Sequence, residues 1–130
     1  MKKTLLISLL ILAVFSGCQQ NKWTLTSGTP PYADPNPLVY EGNVELNGWL
    51  VVAPAYVVGT EEKQFHVSDE SLKNLPADIN RADFRLVTTD EIIIKELEKF
   101  SENNPAKISA DKITVVMEGN PTMHIEKILE

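Results

Sequence analysis

The chain carries few residues that could do chemistry. His66 and His124 are its only histidines, and each lies on the polar phase of a segment in which apolar and polar residues alternate. Neither has neighbours at the spacing of a metal-binding motif. The sequence also lacks the nucleophile elbow of serine hydrolases and a glycine-rich phosphate loop. These features predict a protein that is not an enzyme and that uses no metal or cofactor.

A candidate binding site is predicted around Trp49, Tyr56 and His66. Trp49 occupies the phase opposite to Val44 and Leu46 in one alternating segment, so its side chain should point to the other face of a strand. Aromatic side chains on such a face are suited to binding ligands. The alternative is that Trp49 packs beneath a helix or beneath the preceding segment and binds nothing.

The only cysteine, Cys18, follows a segment with the three-part layout of an export signal. Lys2 and Lys3 precede an apolar run over residues 5–15 that only Ser8 interrupts, and small residues close it. The run is shorter than the roughly 20 apolar residues that a membrane-spanning helix needs. Residues 1–17 are therefore expected to be a signal peptide that is removed on export.

The four residues Phe15-Ser16-Gly17-Cys18 resemble the lipobox of bacterial lipoprotein precursors. Ser16, Gly17 and Cys18 match the motif, and Phe15 stands where that family usually has Leu, Val or Ile. The resemblance implies that Cys18 is diacylated, becomes the N-terminus after cleavage and anchors the protein, because two or more chains hold a protein stably on a bilayer. The alternative is an ordinary secreted protein with a free thiol at Cys18.

The location implied by this resemblance is the cell envelope. In Gram-negative bacteria the inner-membrane retention signal of lipoproteins has Asp directly after the lipidated cysteine, and this chain has Gln19 there. The resemblance therefore implies an outer-membrane lipoprotein that faces the periplasm if the source is Gram-negative.

The exported chain is acidic. Removal of Lys2 and Lys3 leaves 10 basic against 18 acidic residues, a formal charge of −8. Nucleic-acid binding depends on clustered basic side chains, so no nucleic-acid partner is expected. Because the chain has one cysteine, no internal disulfide can form, and packing alone must hold the fold.

Residues 18–42 contain the lipidated cysteine and a Pro-rich segment typical of a tether. Fully extended, such a tether would hold the domain on the order of 80 Å from the anchor. Trp23, Tyr32 and Tyr40 are unusual in a spacer and favour partial docking on the domain or contact with lipid headgroups. A Pro-rich ligand for a partner protein is a further alternative.

Residues 43–130 are predicted to form a small, mainly β domain with one helix (α+β). Alternating apolar residues predict strands over residues 44–52, 64–68, 84–87, 112–117 and 123–128. Within the first of these, Gly48 predicts a bulge or a sharp bend.

The helix is predicted between the third and fourth strands. Thr88 followed by Glu91 three residues later fits a capping box, which predicts the helix start. Ile93 and Leu97 then lie on one face at helical spacing, and the helix should end before Pro105.

The element order β-β-β-α-β-β resembles the OB-fold, a five-stranded barrel with its helix between the third and fourth strands. It is also similar to small OB-type envelope lipoproteins in the bent first strand over residues 44–52 and the closing hairpin over residues 113–128. An open antiparallel sheet packed by one helix fits the same pattern.

Together these patterns favour a membrane-anchored envelope lipoprotein with a small non-enzymatic binding domain, whose partners are the membrane, through its acyl chains, and a protein. The alternative is a periplasmic inhibitor or immunity protein that blocks a basic enzyme or toxin, a hypothesis motivated by the formal charge of −8. A hydrolase with dispersed site residues is a third hypothesis.

Overall fold

The computed structural model describes residues 22–30, 36–55, 57–117 and 119–129, so the predicted signal peptide, Cys18 and Tyr56 lie outside the described residues. The elements are β1 (Trp23–Ser27), β2 (Leu38–Pro54), β3 (Glu61–Val67), a 3₁₀ turn (Asp69–Asn74), β4 (Asp83–Arg85), α1 (Glu91–Leu97), β5 (Ala106–Val115) and β6 (Thr122–Ile128). In this part of the chain, no helix has the length and apolar character needed to cross a bilayer.

Strand β2 is the centre of the sheet, because it pairs with β1, β3 and β5. Hydrogen bonds run from β2 through β3, β4, β6 and β5 and return to β2, so five strands form a ring. The link between β4 and β6 is a single parallel bridge from Arg85 to Thr122, with the Arg85 N–H donating to the carbonyl of Pro121 at 2.8 Å.

This ring confirms the predicted mainly β, OB-like order of five strands with one helix between the third and fourth. Because only one bridge joins β4 to β6, the sheet is not formally a barrel. A fully open sheet does not describe the ring either.

The strand β1 lies inside residues 18–42, the segment predicted as a tether. It pairs antiparallel with β2, from Trp23 opposite Gly42 to Ser27 opposite Val39. Its sequence WTLTS carries only two large apolar residues, so alternation alone does not predict it. Pairing with β2 satisfies its backbone groups and makes it a strand.

The strand β2 begins at Leu38, five residues before the predicted domain boundary at residue 43. Leu38 and Tyr40 are buried in the core, and both pair with β5. Burial of their side chains removes apolar surface from water, which stabilises this end of the sheet. The folded unit therefore includes residues 23–27 and 38–42 of the predicted tether.

Gly48 lies where β2 pairs with β3 on one side and with β5 on the other. A Cβ atom there would lie 2.1 Å from the carbonyl oxygen of His66 and 2.7 Å from the ring of Phe65. Glycine is therefore required at position 48 because β3 lies too close to β2 for a side chain, and not because the strand forms a bulge there. The irregularity in β2 lies earlier, where its register with β5 shifts between Glu41 and Val44.

One apolar core fills the space between the strands and α1. Its largest fully buried side chains include Leu46, Phe65, Phe84, Leu97, Ile108, Ile113, Met123 and Ile125. Leu97 comes from α1, which contacts β6 and β2. The helix therefore covers one part of the core.

Helix α1 begins at Glu91, and its N-cap is Asp90, whose carboxylate accepts a hydrogen bond from the N–H of Ile92 at 2.9 Å. The predicted capping box at Thr88 is therefore wrong by two residues. The physical reason lies at Thr89, whose buried hydroxyl bonds to a carbonyl and an N–H of β6. These hydrogen bonds hold the residues around Thr89 in a turn, so the helix begins only after them.

Candidate functional site

The structure brings together two of the three residues predicted to form a binding site. Trp49 of β2 lies directly opposite His66 of β3, and their ring centroids are 4.8 Å apart with the planes inclined by 42°. Both side chains lie on the outer face, because the neighbouring residue Phe65 points into the core. Tyr56, the third predicted residue, lies outside the described part of the chain.

Asp83 of β4 completes a row of three side chains across three strands. It lies opposite His66 in the β3–β4 register, and its Oδ1 is 2.7 Å from Nδ1 of the imidazole. A bond to a carboxylate oxygen places a proton on Nδ1 and leaves Nε2 as the ring atom that can meet a ligand. The imidazole is thus held between the indole of Trp49 and a carboxylate.

A second row lies beside the first and is also fixed by hydrogen bonds. Gln64 lies between Val51 and Arg85 across the three strands and is only 6% exposed. Its Oε1 accepts a bond from Nδ2 of Asn120 at 3.1 Å, which ties the loop between β5 and β6 to β3. Arg85 in turn donates from Nε to Glu62 Oε1 at 2.7 Å.

We call this surface the Trp49 face and define it by Trp49, Val51, Gln64, His66, Asp83 and Arg85. Apolar side chains are also exposed in the loops that join the strands: Val57 and Val58 between β2 and β3, and Met117 between β5 and β6. Val58 is 99% exposed. Aromatic and Arg side chains with apolar neighbours are the groups enriched at protein interfaces.

The second histidine lies on a different surface. Nδ1 of His124 in β6 is 2.5 Å from Oδ1 of Asp111 in β5, and both line an open depression of about 390 Å³. Lys112 and Glu41 line the same depression, with Nζ and Oε1 3.9 Å apart. Lys112 and His124 are thus each paired with an acidic side chain in this depression, and no Trp, Tyr or Phe that the structure describes lines it.

The two histidines therefore do not form a joint site, since each is paired with its own aspartate. Within residues 22–30, 36–55, 57–117 and 119–129, no three His, Cys, Asp or Glu side chains are grouped so that they could hold a metal ion.

Sequence reasoning missed Asp83, Gln64 and Arg85 as members of the Trp49 face. One signal was present: Asp83 and Arg85 flank Phe84, so they had to share the face opposite the core once Phe84 was placed inward. Which residues of β3 they meet depends on the register between β3 and β4, and the sequence does not contain this.

The comparisons of this chain with protein-family models, with curated proteins and with solved structures find no match.

Proposed function

We propose that this protein is a lipid-anchored protein of the bacterial envelope whose small OB-like domain binds a protein partner through the Trp49 face. The export signal and the lipobox-like residues ending at Cys18 support the anchor. The observation that carries the binding role is the contact of Trp49 with His66, which a hydrogen bond to Asp83 holds in place.

The Trp49 face is suited to recognition because its side chains are already positioned. Binding costs entropy when side chains must be immobilised, and this cost falls when they are fixed beforehand. Hydrogen bonds to Asp83, Asn120 and Glu62 fix His66, Gln64 and Arg85 in this way. Trp and Arg are also the residue types that most often dominate binding energy at protein interfaces.

The position of α1 argues against a purely structural role for Trp49. In β3, Lys63 lies on the same face of the strand as Phe65, two residues later. Its ammonium forms an ion pair with Glu98, the residue that follows α1. The helix thus reaches β3 from the side opposite to His66 and Trp49. Strand β1 pairs with residues 39–42 of β2, well before Trp49.

Site-specific photocrosslinking in intact envelopes would test this binding role. A photoreactive amino acid at Val51 should give one discrete adduct, and Trp49→Ala should abolish it without preventing folding. The matched control places the same amino acid at Lys127, an exposed residue of β6, where that adduct should be absent. Identical adducts from both positions, or none from Val51 in any growth condition, would contradict the proposal.

The formal charge of −8 favours a second candidate function, an inhibitor or immunity protein that blocks a basic enzyme or toxin. Attraction between opposite net charges weakens as salt screens it. For an inhibitor, the crosslinked partner should be a basic hydrolase, and the adduct yield should fall steeply with salt. An adduct whose yield is insensitive to salt would favour recognition by the Trp49 face.

A further inference from the structure

We infer that the domain lies directly on the lipid bilayer, with the surface around Lys22, Trp23 and Lys73 against the phospholipid headgroups. This inference rests on the proposed lipid anchor at Cys18. We call the surface formed by Lys22, Trp23, Lys73 and Asn74 the anchor-side surface.

The first observation is the short length of chain between the anchor and the fold. β1 begins at Trp23, five residues after Cys18. At no more than about 3.6 Å per residue these five residues span at most about 18 Å, whatever their conformation. This is no more than the radius of a domain of this size, so the start of β1 stays close to the membrane surface.

The second observation is that the start of β1 is fixed to the domain. The indole Nε1 of Trp23 donates to the carbonyl oxygen of Asn74 at 2.8 Å, and Trp23 lies opposite Gly42 in the β1–β2 pair. A Cβ atom on Gly42 would lie 2.5 Å from the carbonyl oxygen of Lys22, so the two strands approach closely there. A longer tether would require β1 to leave the sheet.

The third observation is the chemistry of the anchor-side surface. It surrounds a depression of about 320 Å³ lined by Lys22, Trp23, Lys73 and Asn74, among others. Lys22 and Lys73 are exposed, and neither forms an ion pair with any acid that the structure describes, unlike Lys107 of β5. Two exposed ammonium groups beside a half-exposed indole suit the interfacial layer of a bilayer, where Trp and Lys side chains are enriched.

Charge favours the same orientation. The exported chain has a formal charge of −8, so an anionic membrane repels most of its surface. The exposed ammonium groups of Lys22 and Lys73 are attracted to phosphate, and both residues line the depression beside Trp23 of β1. Trp49 lies seven residues along β2 from Gly42, the partner of Trp23, which is roughly 23 Å of strand at 3.3 Å per residue. The Trp49 face thus stays available to a partner.

The two tryptophans of the chain provide the test, because they are its only ones. In the full lipidated protein, Trp49→Phe leaves Trp23 as the only tryptophan that can donate fluorescence energy. The variant Trp23→Phe leaves Trp49 as the only donor. Each protein is reconstituted into vesicles of phosphatidylethanolamine and phosphatidylglycerol that contain a dansyl-headgroup lipid as energy acceptor. We expect energy transfer from Trp23 to be several-fold more efficient than transfer from Trp49.

Two further variants separate the short linker from the lysines. A 20-residue Gly/Ser spacer inserted between Gln20 and Asn21 should reduce the transfer from Trp23 several-fold while the protein still floats with the vesicles. The double variant Lys22→Glu and Lys73→Glu should also reduce it, with flotation unchanged. A spacer without effect, or equal transfer from the two tryptophans in floating protein, would overturn the inference.

Flotation itself distinguishes failure of the anchor from failure of the orientation. If Cys18→Ser floats as well as the unchanged chain, or if the unchanged chain does not float, the proposed anchor is wrong. If flotation depends on Cys18 but the transfer does not depend on the spacer, the anchor stands and the membrane-facing surface is wrong. Thermal unfolding of each variant confirms that the compared proteins are folded.

Discussion

The indole of Trp49 and the imidazole of His66 lie opposite each other across β2 and β3, with ring centroids 4.8 Å apart. Asp83 holds the other side of the imidazole through a 2.7 Å bond to Nδ1. The three side chains come from three neighbouring strands, so the rigid sheet positions them. The proposed binding role uses this order, because side chains that are already fixed lose less entropy when a partner binds.

Replacement of Trp49 by Ala should separate binding from packing. Because the side chain is half-buried on the outer face, Trp49→Ala should lower the free energy of unfolding by about 1 kcal/mol, the typical effect of a point mutation. Leu46→Ala, in the core of the same strand, should cost roughly 2–5 kcal/mol. Chemical denaturation measures both values.

The same two variants are compared by the adduct that they form with the crosslinked partner. Trp49→Ala should abolish the adduct formed from Val51, whereas Leu46→Ala should retain it as long as the protein is folded. If Trp49→Ala destabilises the protein as much as Leu46→Ala and leaves the adduct intact, Trp49 has a packing role only.

Gly48 should not tolerate a side chain. In Gly48→Ala the new Cβ would meet the carbonyl oxygen of His66 at 2.1 Å, and a backbone atom within a paired strand cannot move away cheaply. We expect a loss at the upper end of the roughly 1–3 kcal/mol typical of overpacking, or beyond it.

The control for this prediction is Gly59→Asn in the loop between β2 and β3. Gly59 has a φ of 88° and open space around its Cβ position, and Asn is among the residues that enter this region most readily. Its cost should stay below about 1 kcal/mol. Equal stability of Gly48→Ala and the unchanged protein in urea denaturation would contradict the close approach of β2 and β3.

The N-cap of α1 gives a third prediction, because the structure has Asp90 as the cap whereas the sequence pattern predicts Thr88. Asp90→Ala removes the acceptor for the N–H of Ile92 and should cost about 1 kcal/mol. Thr88→Ala, at the cap predicted from the sequence, should change the free energy of unfolding by no more than about 0.5 kcal/mol, because Thr88 is exposed and outside the helix. Reversed costs in thermal denaturation would restore Thr88 as the cap.

Tyr40 should make stability depend on pH in alkaline solution. Burial raises the pKa of the Tyr40 hydroxyl above 10.0, and its hydrogen bond to Asp78 Oδ2 and the negative charge of that carboxylate raise it further. The folded state thus binds the phenolic proton more tightly than the unfolded state does. This contribution is fully present below pH 10 and is lost as the pH rises through the pKa of the folded protein.

The measurement is the free energy of unfolding of the unchanged protein and of Tyr40→Phe, from neutral pH to above pH 10. Tyr40→Phe should be less stable at neutral pH by about 1 kcal/mol, because it loses one hydrogen bond. The difference between the two proteins should shrink above pH 10. A constant difference over the whole range would show that Tyr40 titrates alike in both states.

The order of strands and helix could be predicted from the sequence because apolar residues alternate so regularly in most of the strands. Phe65 and Val67, for example, point inward as their spacing predicts. β1 escaped prediction because a five-residue strand with mostly exposed side chains gains its stability from a partner strand. The same holds for the β4–β6 link, a single bridge that depends on the whole ring.

The candidate site was predictable in part, for a related reason. Trp49 and His66 could be paired because a hairpin brings residues of adjacent strands into register. Asp83 lies in β4, seventeen residues after His66, and the segment between β3 and β4 contains the 3₁₀ turn. No local pattern fixes a register over such a connection, so the carboxylate that orients the imidazole becomes visible only in the folded chain.

The intact mass of the protein purified from membranes tests the proposed anchor most directly. We predict a polypeptide that begins at Cys18 and carries two or three acyl chains, with the chains on the thiol side removed by mild base. The same material with Cys18→Ser should be found in the soluble fraction. A bare thiol at Cys18, or a Cys18→Ser protein that is just as membrane-bound, would contradict the lipid anchor and the membrane-facing orientation built on it.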